Sequence, residues 1–464
     1  MKLKFAEYKS FDLSKINQEV LKRWKKDATF NKSLDKNKDN ETFVFYEGPP
    51  SANGMPGIHH VMARTIKDVF CRYKTQQGYL VRRKAGWDTH GLPVELGVEK
   101  QLGITKEDIG KSVSVAEYNE KCREEVMKFT DAWEDLTEKM GYWINMDDPY
   151  ITYDNRYIES VWNLLKKLFE KGLLYKGYTI QPYSPAAGTG LSTHELNQPG
   201  CYRDVKDTSC VAQFKMIPDE KSQSLISQTD TDIFFLAWTT TPWTLPSNTA
   251  LAVGDDIKYA MVRTFNPYTG LPVTVILARD LVNVYFPDKN KDLTFDDYQP
   301  GDKKVPFKIL KEFKGSEFVG IKYEQLIDWV KPDGDAFRII QGDFVTTEEG
   351  TGIVHIAPTF GADDYRVAQQ HDIVPLVIED ANGQKMPLVD KQGRFMPVDE
   401  MASDFVERFV NVDSYQSFQG RFVKNEYDDN LPDDAPAIDV DIAVMLKKEN
   451  KAFRVEKYVH SYPH

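Results

Sequence analysis

Apolar residues recur at helical spacing near the start of the chain, where Ile16, Val20, Leu21 and Trp24 share one face and predict an amphipathic helix over residues 13–27. A short run, Thr42-Phe-Val-Phe-Tyr-Glu47, reads as a strand and passes into a loop of turn-forming residues, Gly48-Pro-Pro-Ser-Ala-Asn-Gly-Met-Pro-Gly57. Ile58, Val61, Met62, Ile66, Val69, Phe70 and Tyr73 then return at spacings of three and four, which predicts a second helix. A second strand is expected over residues 79–84, ending in the loop Ala-Gly-Trp-Asp-Thr-His-Gly-Leu-Pro. A further helix is expected at 155–171, with Ile158, Val161, Trp162, Leu165, Leu168 and Phe169 on its apolar face, Asp154 at its start and Gly172 at its end. Strands alternating with helices predict an α/β fold with a doubly wound parallel sheet. In such sheets ligands sit beyond the carboxyl ends of the strands, where both loops lie.

Beyond about residue 185 the texture changes. From Asp232 to about Ile356, β-branched and aromatic runs alternate with Pro, Gly and Asp turns, which predicts a compact β-rich domain. Polar segments near 217–231, 286–304 and 424–437 read as surface loops, and there is no internal repeat. At 464 residues the chain exceeds the size at which one core stops growing, so two or more domains are expected. Hydrophobic residues at 41% and charged residues at 28% are ordinary globular values, which exclude a disordered chain.

Charge and cysteines narrow the classes. A net charge of −12 argues against an indiscriminate nucleic-acid binder, because phosphate attraction needs clustered Lys and Arg, but it leaves room for a local basic groove. The four cysteines form no Cys-x-x-Cys pair, so no zinc or other metal site is expected in this stretch and a reducing cytoplasm is the expected setting. No run of about eighteen apolar residues occurs and no apolar stretch follows the basic N-terminus, so neither membrane spanning nor secretion is expected.

Four stretches carry chemistry. Gly48 to Gly57 lead into Ile58-His59-His60 at a helix start, where free N–H groups and the positive dipole end attract phosphate. Gly48, Pro49 and Gly57 let the backbone approach a nucleotide, and the imidazoles of His59 and His60 can donate to its phosphates, although a His pair at a helix start is, taken alone, more often structural. Lys84-Ala-Gly-Trp-Asp-Thr-His-Gly-Leu-Pro-Val-Glu95 offers Asp88 as a carboxylate for a cationic amine, or simply as a cap for loop N–H groups. Leu236-Ala-Trp-Thr-Thr-Thr-Pro-Trp-Thr-Leu-Pro-Ser-Asn248 lines up hydroxyls that can position a water or a ribose, yet a Thr run alone is more often strand. Gly350-Thr-Gly-Ile-Val-His-Ile-Ala-Pro-Thr-Phe-Gly-Ala-Asp-Asp-Tyr365 places Asp363 and Asp364 where a helix opens, so capping is the plain reading.

Taken whole and in order, these strings resemble class I aminoacyl-tRNA synthetases, in particular the isoleucine enzymes. GPPSANGMPGIHHVMARTIKD resembles the family's ATP-binding signature, with one departure: the family pattern is His-x-Gly-His, and here Gly57, Ile58, His59 and His60 stand in those places. His59 is expected to replace the leading His. The resemblance implies that Asp88 and the backbone near Pro49 grip the isoleucine amine, while Trp87 and His90 shape the pocket. The third string resembles the isoleucyl editing signature, whereas valyl and leucyl relatives follow the Thr pair with Arg-Pro. It implies an editing pocket of Thr239, Thr240, Thr241, Trp243 and Asn248. In the fourth, Asp364 takes the place of the residue that captures the amine of the misacylated residue, and His355 resembles a pocket-shaping residue that would, alone, read as a packed histidine.

The fold implied is Rossmann-like over 1–184, an inserted β-rich α+β editing domain over 185–450, and a return to the first fold over 451–464. The implied activity is ATP-dependent activation of isoleucine, with Mg²⁺, and its ligation to tRNA(Ile) by a monomer, with hydrolysis of misformed valyl products. The second half of the nucleotide fold and its Lys-Met-Ser-Lys-Ser loop are expected to lie outside these 464 residues, leaving at most the hydrolase activity to the chain alone. A stand-alone deacylase acting in trans and a non-catalytic binder of nucleotide or tRNA are the alternatives.

Overall fold

The computed structural model describes residues 10–185, 187–428, 431–432 and 435–463. The basic N-terminal stretch, part of the polar segment near 424–437 and His464 lie outside the described residues. The chain divides into two compact units, one up to Gly177 and one from Tyr178 onward.

The first unit opens with α1 (Leu13–Lys26), capped by the Asp12 side chain, which accepts from the Lys15 amide. Its predicted face is half-buried, and Trp24 meets Trp143 edge-on with the Arg72 guanidinium over both rings. The loop ending at Gly57 leads into α2 (Ile58–Gln76), as the periodicity predicts. The strands differ from expectation. Residues 42–47 contribute a single parallel bridge, Thr42 with Leu80, and the ladder begins where the expected second strand ends, at β1 (Lys84–Trp87). Before β1 the chain is held by isolated backbone bonds, the Leu80 amide to the Glu41 carbonyl at 2.9 Å and the Phe43 amide to the Leu80 carbonyl at 3.0 Å, and by buried Arg83, whose guanidinium donates to Thr75 Oγ1 at 2.8 Å and to the Trp143 carbonyl at 3.2 Å. β1 pairs in parallel with β2 (Asn145–Ile151), whose acidic sequence with Pro149 gives no strand signal.

Between them lies α3 (Thr130–Lys139), which carries Trp133 into a small core with Ala52 and Trp87. The unit closes with α4 (Asn155–Glu170), capped by Asp154 as expected, with Gly172 at φ +70° just beyond it. The apolar stripe of α2 (Ile58, Met62, Ile66, Val69, Phe70, Tyr73) is more than half exposed, and Arg64 and Cys71 are its buried residues instead. Arg64 is drawn inward by Thr137 Oγ1, 2.6 Å from its Nη1, and by the charge of buried Glu47.

In the second unit the core is built around a six-stranded mixed sheet. Its strands are β3 (Tyr202–Lys215), β4 (Ile233–Thr239), β6 (Lys258–Phe265), β7 (Pro272–Ala278), β8 (Lys308–Lys314) and β11 (Ala452–Pro463). They lie in the order β8-β6-β7-β4-β3-β11, with only β4 and β7 parallel. A second sheet sets β5 (Ala250–Val253) between β9 (Arg338–Gln341), parallel to it, and β10 (Ile353–Ile356), antiparallel. Two helices matter below: α5 (Ala362–Gln370) follows β10, and α6 (Ile438–Lys448) precedes β11. Apolar residues at alternate positions of β4 enter opposite sides, Phe235 and Ala237 into one cluster, Phe234 and Leu236 into another. β3 and β11 pair antiparallel along their whole length, out to Tyr202 opposite Pro463. The architecture as a whole is mixed α/β, with parallel pairing in the first unit and a β-rich α+β second unit. The expected surface loops are partly anchored inward: Leu225 and Phe286 are buried.

Candidate functional site

The first group of candidates gathers at the carboxyl end of β1. The Asp88 amide donates to the Pro50 carbonyl at 3.0 Å, so the pocket loop and the Gly48–Gly57 loop are joined by their backbones. Around that join, Trp133 Nε1 donates to the Gly54 carbonyl at 2.9 Å, the Phe129 amide to the Ala52 carbonyl at 2.9 Å, and Tyr150 Oη to the Glu47 carbonyl at 2.8 Å. Trp87 is buried against Ala52 and Trp133, and Asp88 is half-buried beside it. His90 is exposed, its Nδ1 3.1 Å from Thr152 Oγ1, which also takes the Thr89 amide. Gly48 lies near Lys67, whose ammonium pairs with buried Glu47.

The exchanged motif is internally consistent. A Cβ at Gly57 would sit 2.8 Å from His59 Cε1, so the glycine leaves the space that the His59 ring occupies. The Gly57 amide donates to His60 Nδ1 at 2.9 Å, which makes that nitrogen an acceptor and leaves the proton of the neutral ring on Nε2. Burial first, then His59 and Arg64, hold His60 below the usual imidazole range, which favours that neutral form. His59 is exposed at the same helix N-terminus, its ring centroid 3.8 Å from that of His60.

The second group lies in the other unit, where β4 ends. Thr239 Oγ1 accepts the Thr241 amide at 3.1 Å and lies 3.3 Å from Thr241 Oγ1, while Thr240 is half-buried between them. Pro242 starts a 3₁₀ turn, Pro242–Ser247, within which Thr244 Oγ1 donates to the Thr241 carbonyl at 2.8 Å and approaches His355 Nε2 at 3.3 Å. With its one proton directed at Thr241, the Thr244 hydroxyl is the acceptor, so His355 donates through Nε2 and Nδ1 is left as a bare acceptor. That Nδ1 is buried without a partner among the described residues, and burial lowers the His355 pKa to about 4. The ring is therefore neutral at ordinary pH.

On the facing segment, Asp364 sits in the first turn of α5 and its Oδ2 accepts the Ala357 amide at 2.8 Å. Burial, the largest influence, raises its pKa to about 6 against the pull of that amide. Asp363 points outward to Arg366 instead. Trp243 packs edge-on against Phe360, centroids 4.9 Å apart, and this contact ties the threonine loop to the stretch that bears Asp364. Asn248 is committed to the framework: its Nδ2 donates to the Ala250 carbonyl at 2.8 Å, and its Oδ1 accepts Tyr323 Oη at 2.7 Å.

Several contributors had no clear sequence signal. Thr244 stands three residues after Thr241 and looks like one more member of the string. Thr359, which the sequence did not single out, carries a buried Oγ1 that lacks a partner among the described residues, as does Nε1 of the predicted Trp243. Glu47, whose carboxylate takes Tyr142 Oη and Lys67 Nζ beneath the first loop, ends an exposed-looking run. Among the described residues no cluster of three or more His, Cys, Asp or Glu side chains is placed to hold a metal ion, and no helix is long and apolar enough to cross a membrane.

Comparison with known proteins bears on both groups together. The isoleucine–tRNA ligase of Bacteroides fragilis is 63% identical over 464 residues, 100% of this chain and 40% of that protein. The isoleucine–tRNA ligase of Porphyromonas gingivalis is 61% identical over 465 residues, again 100% of this chain and 40% of that protein. The chain thus spans about 40% of the length of these curated relatives. The crystal structure of GlLeuRS-CP1 is 14% identical with a TM-score of 0.33, covering 54% of this chain and 99% of that one, a likeness too slight to bear on the site. The family model of class I tRNA synthetases (I, L, M and V) matches residues 19–433, a span that contains both groups of candidates, and on that match the chain belongs to the class I tRNA synthetases.

Proposed function

We propose that this chain carries the first half of the ATP and isoleucine site of an isoleucine–tRNA ligase together with a domain that hydrolyses misformed valyl products. In this reading residues 1–184 belong to the nucleotide-binding fold, 185–450 are inserted, and 451–464, whose residues 452–463 pair with β3 as the edge strand of the second unit's sheet, lead back toward it. The antiparallel pairing of β3 and β11 supports an insertion, since it sets Tyr202, early in the unit, against Pro463 near its end, and an inserted domain needs its entry and exit close together.

Activation joins the isoleucine carboxylate to the α-phosphate of ATP, releasing pyrophosphate, with Mg²⁺ accompanying the nucleotide as part of the substrate. The helix N-terminus at Gly57, with His60 Nε2–H and the exposed His59, supports phosphate binding, and Asp88, whose amide is bonded to the Pro50 carbonyl, suits the substrate amine. Transfer to the 3′ end of tRNA(Ile) follows in the longer protein, which acts as a cytoplasmic monomer.

One methylene separates isoleucine from valine. A hydrophobic pocket converts that into only about 1–3 kcal/mol, of which this pair is the standard instance, so a second, hydrolytic site is needed. The observation that carries the hydrolytic reading is the arrangement around the threonine loop. Asp364 is a half-buried carboxylate suited to a free amine, and His355 Nδ1, Thr359 Oγ1 and Trp243 Nε1 are buried polar atoms with no partner among the described residues. Buried polar groups are otherwise paired, so a ligand or a water is the natural partner. Thr239, Thr240 and Thr241 supply hydroxyls to orient the ester and the attacking water.

The test is hydrolysis of Val-tRNA(Ile), with Ile-tRNA(Ile) as control, by the 464-residue chain and its Asp364→Ala variant. Selective loss of the valyl ester, with attack on the cognate ester appearing in the variant, is the expected result. No hydrolysis by a folded chain overturns the reading.

A further inference from the structure

Asp439 has no place in the hydrolytic chemistry above, yet it is 2% exposed and 196 residues away from the loop it touches. Its Oδ1 accepts the Trp243 amide at 2.8 Å. Pro242 has no N–H, so Trp243 offers the first amide of the 3₁₀ turn that follows Thr241, one of the donors a helix start leaves unpaired. The far end of the same turn is held by the sheet, through the Thr249 amide and the Ile356 carbonyl at 2.9 Å. At its near end the turn relies on Asp439.

From the carboxylate's side the arrangement is equally specific. Asp439 lies in the first turn of α6, where the helix dipole favours a negative group, and Ile438, Ile442 and Leu446 seat that helix in the main core. A rigid core element thereby sets the position of a turn that bears Trp243 and Thr244. Through these two residues it also sets the spacing between the threonine hydroxyls, His355 and the Phe360 stretch that leads to Asp364. We infer that Asp439 is the positioning residue of the threonine loop: it fixes the Trp243 amide and so holds Thr239, Thr241 and Thr244 in the geometry that hydrolysis requires. This rests on the hydrolytic reading proposed above.

The charged groups nearby fit an anchoring role. Lys424 and His460 both bind Asp207, at 2.8 and 3.0 Å, and Lys457 binds Thr208, so none of them pairs directly with Asp439. Burial, the largest influence, raises the Asp439 pKa to about 7, with Lys424 and the Trp243 amide opposing it. Either protonation state keeps an oxygen able to accept the amide.

The experiment uses the whole chain with Asp439→Ala and Asp439→Asn, and two readouts: amide hydrogen exchange of the segment 239–248, and kcat and KM for Val-tRNA(Ile) hydrolysis. Losing one hydrogen bond to the buried amide is expected to speed exchange of that segment about tenfold and to lower kcat about tenfold in the alanine variant, with KM little changed. The asparagine variant keeps the acceptor and is expected to restore both. Unchanged exchange of the segment in Asp439→Ala overturns the inference, as does a folded Asp439→Asn chain whose segment exchanges fast. If the alanine variant fails to fold, the asparagine variant decides. If the unsubstituted chain hydrolyses no ester, the hydrolytic reading fails, while the exchange data still decide whether Asp439 holds the loop.

Discussion

Gly361 makes room for Asp364: a Cβ built on Gly361 would lie 2.6 Å from Asp364 Cγ and 2.8 Å from its Oδ2. The glycine has an ordinary backbone conformation, φ −106°, so its contribution is space alone. In Gly361→Ala the carboxyl has to swing away and release the Ala357 amide. A hydrolysis rate about tenfold lower, with a stability loss of about 1 kcal/mol for the single hydrogen bond, is expected. Deacylation assays beside thermal unfolding check this, and unchanged hydrolysis would sink it.

The Asp364 carboxyl also sets a pH dependence. Its pKa is raised from 3.8 to about 6, chiefly by burial, so the form that can hold an ammonium appears as pH rises through about 6. Selective hydrolysis of the valyl ester is therefore expected to rise over that range and level off above it, and to be flat in Asp364→Asn. Stability runs the other way. The folded state binds the proton more tightly than the unfolded chain does, so this group's contribution is full below pH 3.8 and is lost as pH climbs through about 6. Unfolding midpoints of the wild-type chain relative to Asp364→Asn, measured across that window, test the sign.

Thr244 links the loop to His355. Thr244→Val keeps the shape but removes the donor to the Thr241 carbonyl and the acceptor for His355 Nε2. With both nitrogens of a buried ring then unpaired, a stability loss of about 1–3 kcal/mol is expected, together with slower hydrolysis. Thr244→Ser restores the hydroxyl and should recover most of both. Equal unfolding midpoints for the valine and serine variants would contradict the link.

In the first unit, Gly86 and Tyr150 are mutually dependent. A Cβ on Gly86 would fall 2.3 Å from Tyr150 Cζ, and the same phenol holds the Glu47 carbonyl at the entrance of the first loop. Gly86→Ala is expected to cost about 1–3 kcal/mol by overpacking and to displace the loop. Tyr150→Ala on its own loses the loop contact but, combined with Gly86→Ala, should relieve the clash. A denaturant double-mutant cycle measures that coupling, and strict additivity would refute it.

How much of this was legible in advance differs from one element to the next. The helices α1, α2 and α4 were, because a run of apolar residues at spacings of three and four and a capping Asp are local signals. β2 was not, because its pairing with β1 depends on partners some sixty residues apart, and Pro149 and its acidic residues argue against a strand. The strand expected before β1 was misplaced because that segment makes isolated backbone bonds and is tied by the buried Arg83 guanidinium to Thr75 and the Trp143 carbonyl, contacts with residues that local patterning does not reveal. Periodicity also cannot say whether an apolar stripe is covered. The Ile58–Tyr73 stripe of α2 is exposed, because the stripe records only that the helix is amphipathic.

The sequence by itself determined the helices α1, α2 and α4, the family and the four strings that hold the candidate residues, since each is written in contiguous residues whose local chemistry is enough to recognise them. Tertiary structure alone decided that His355 is a neutral donor to Thr244, that the Asp364 carboxyl is raised to about 6, and that Asp439 reaches across 196 residues to the Trp243 amide. Proton positions and carboxylate pKa values depend on burial and on which dipoles come within about 3 Å, and those neighbours come from distant parts of the chain that only folding brings together.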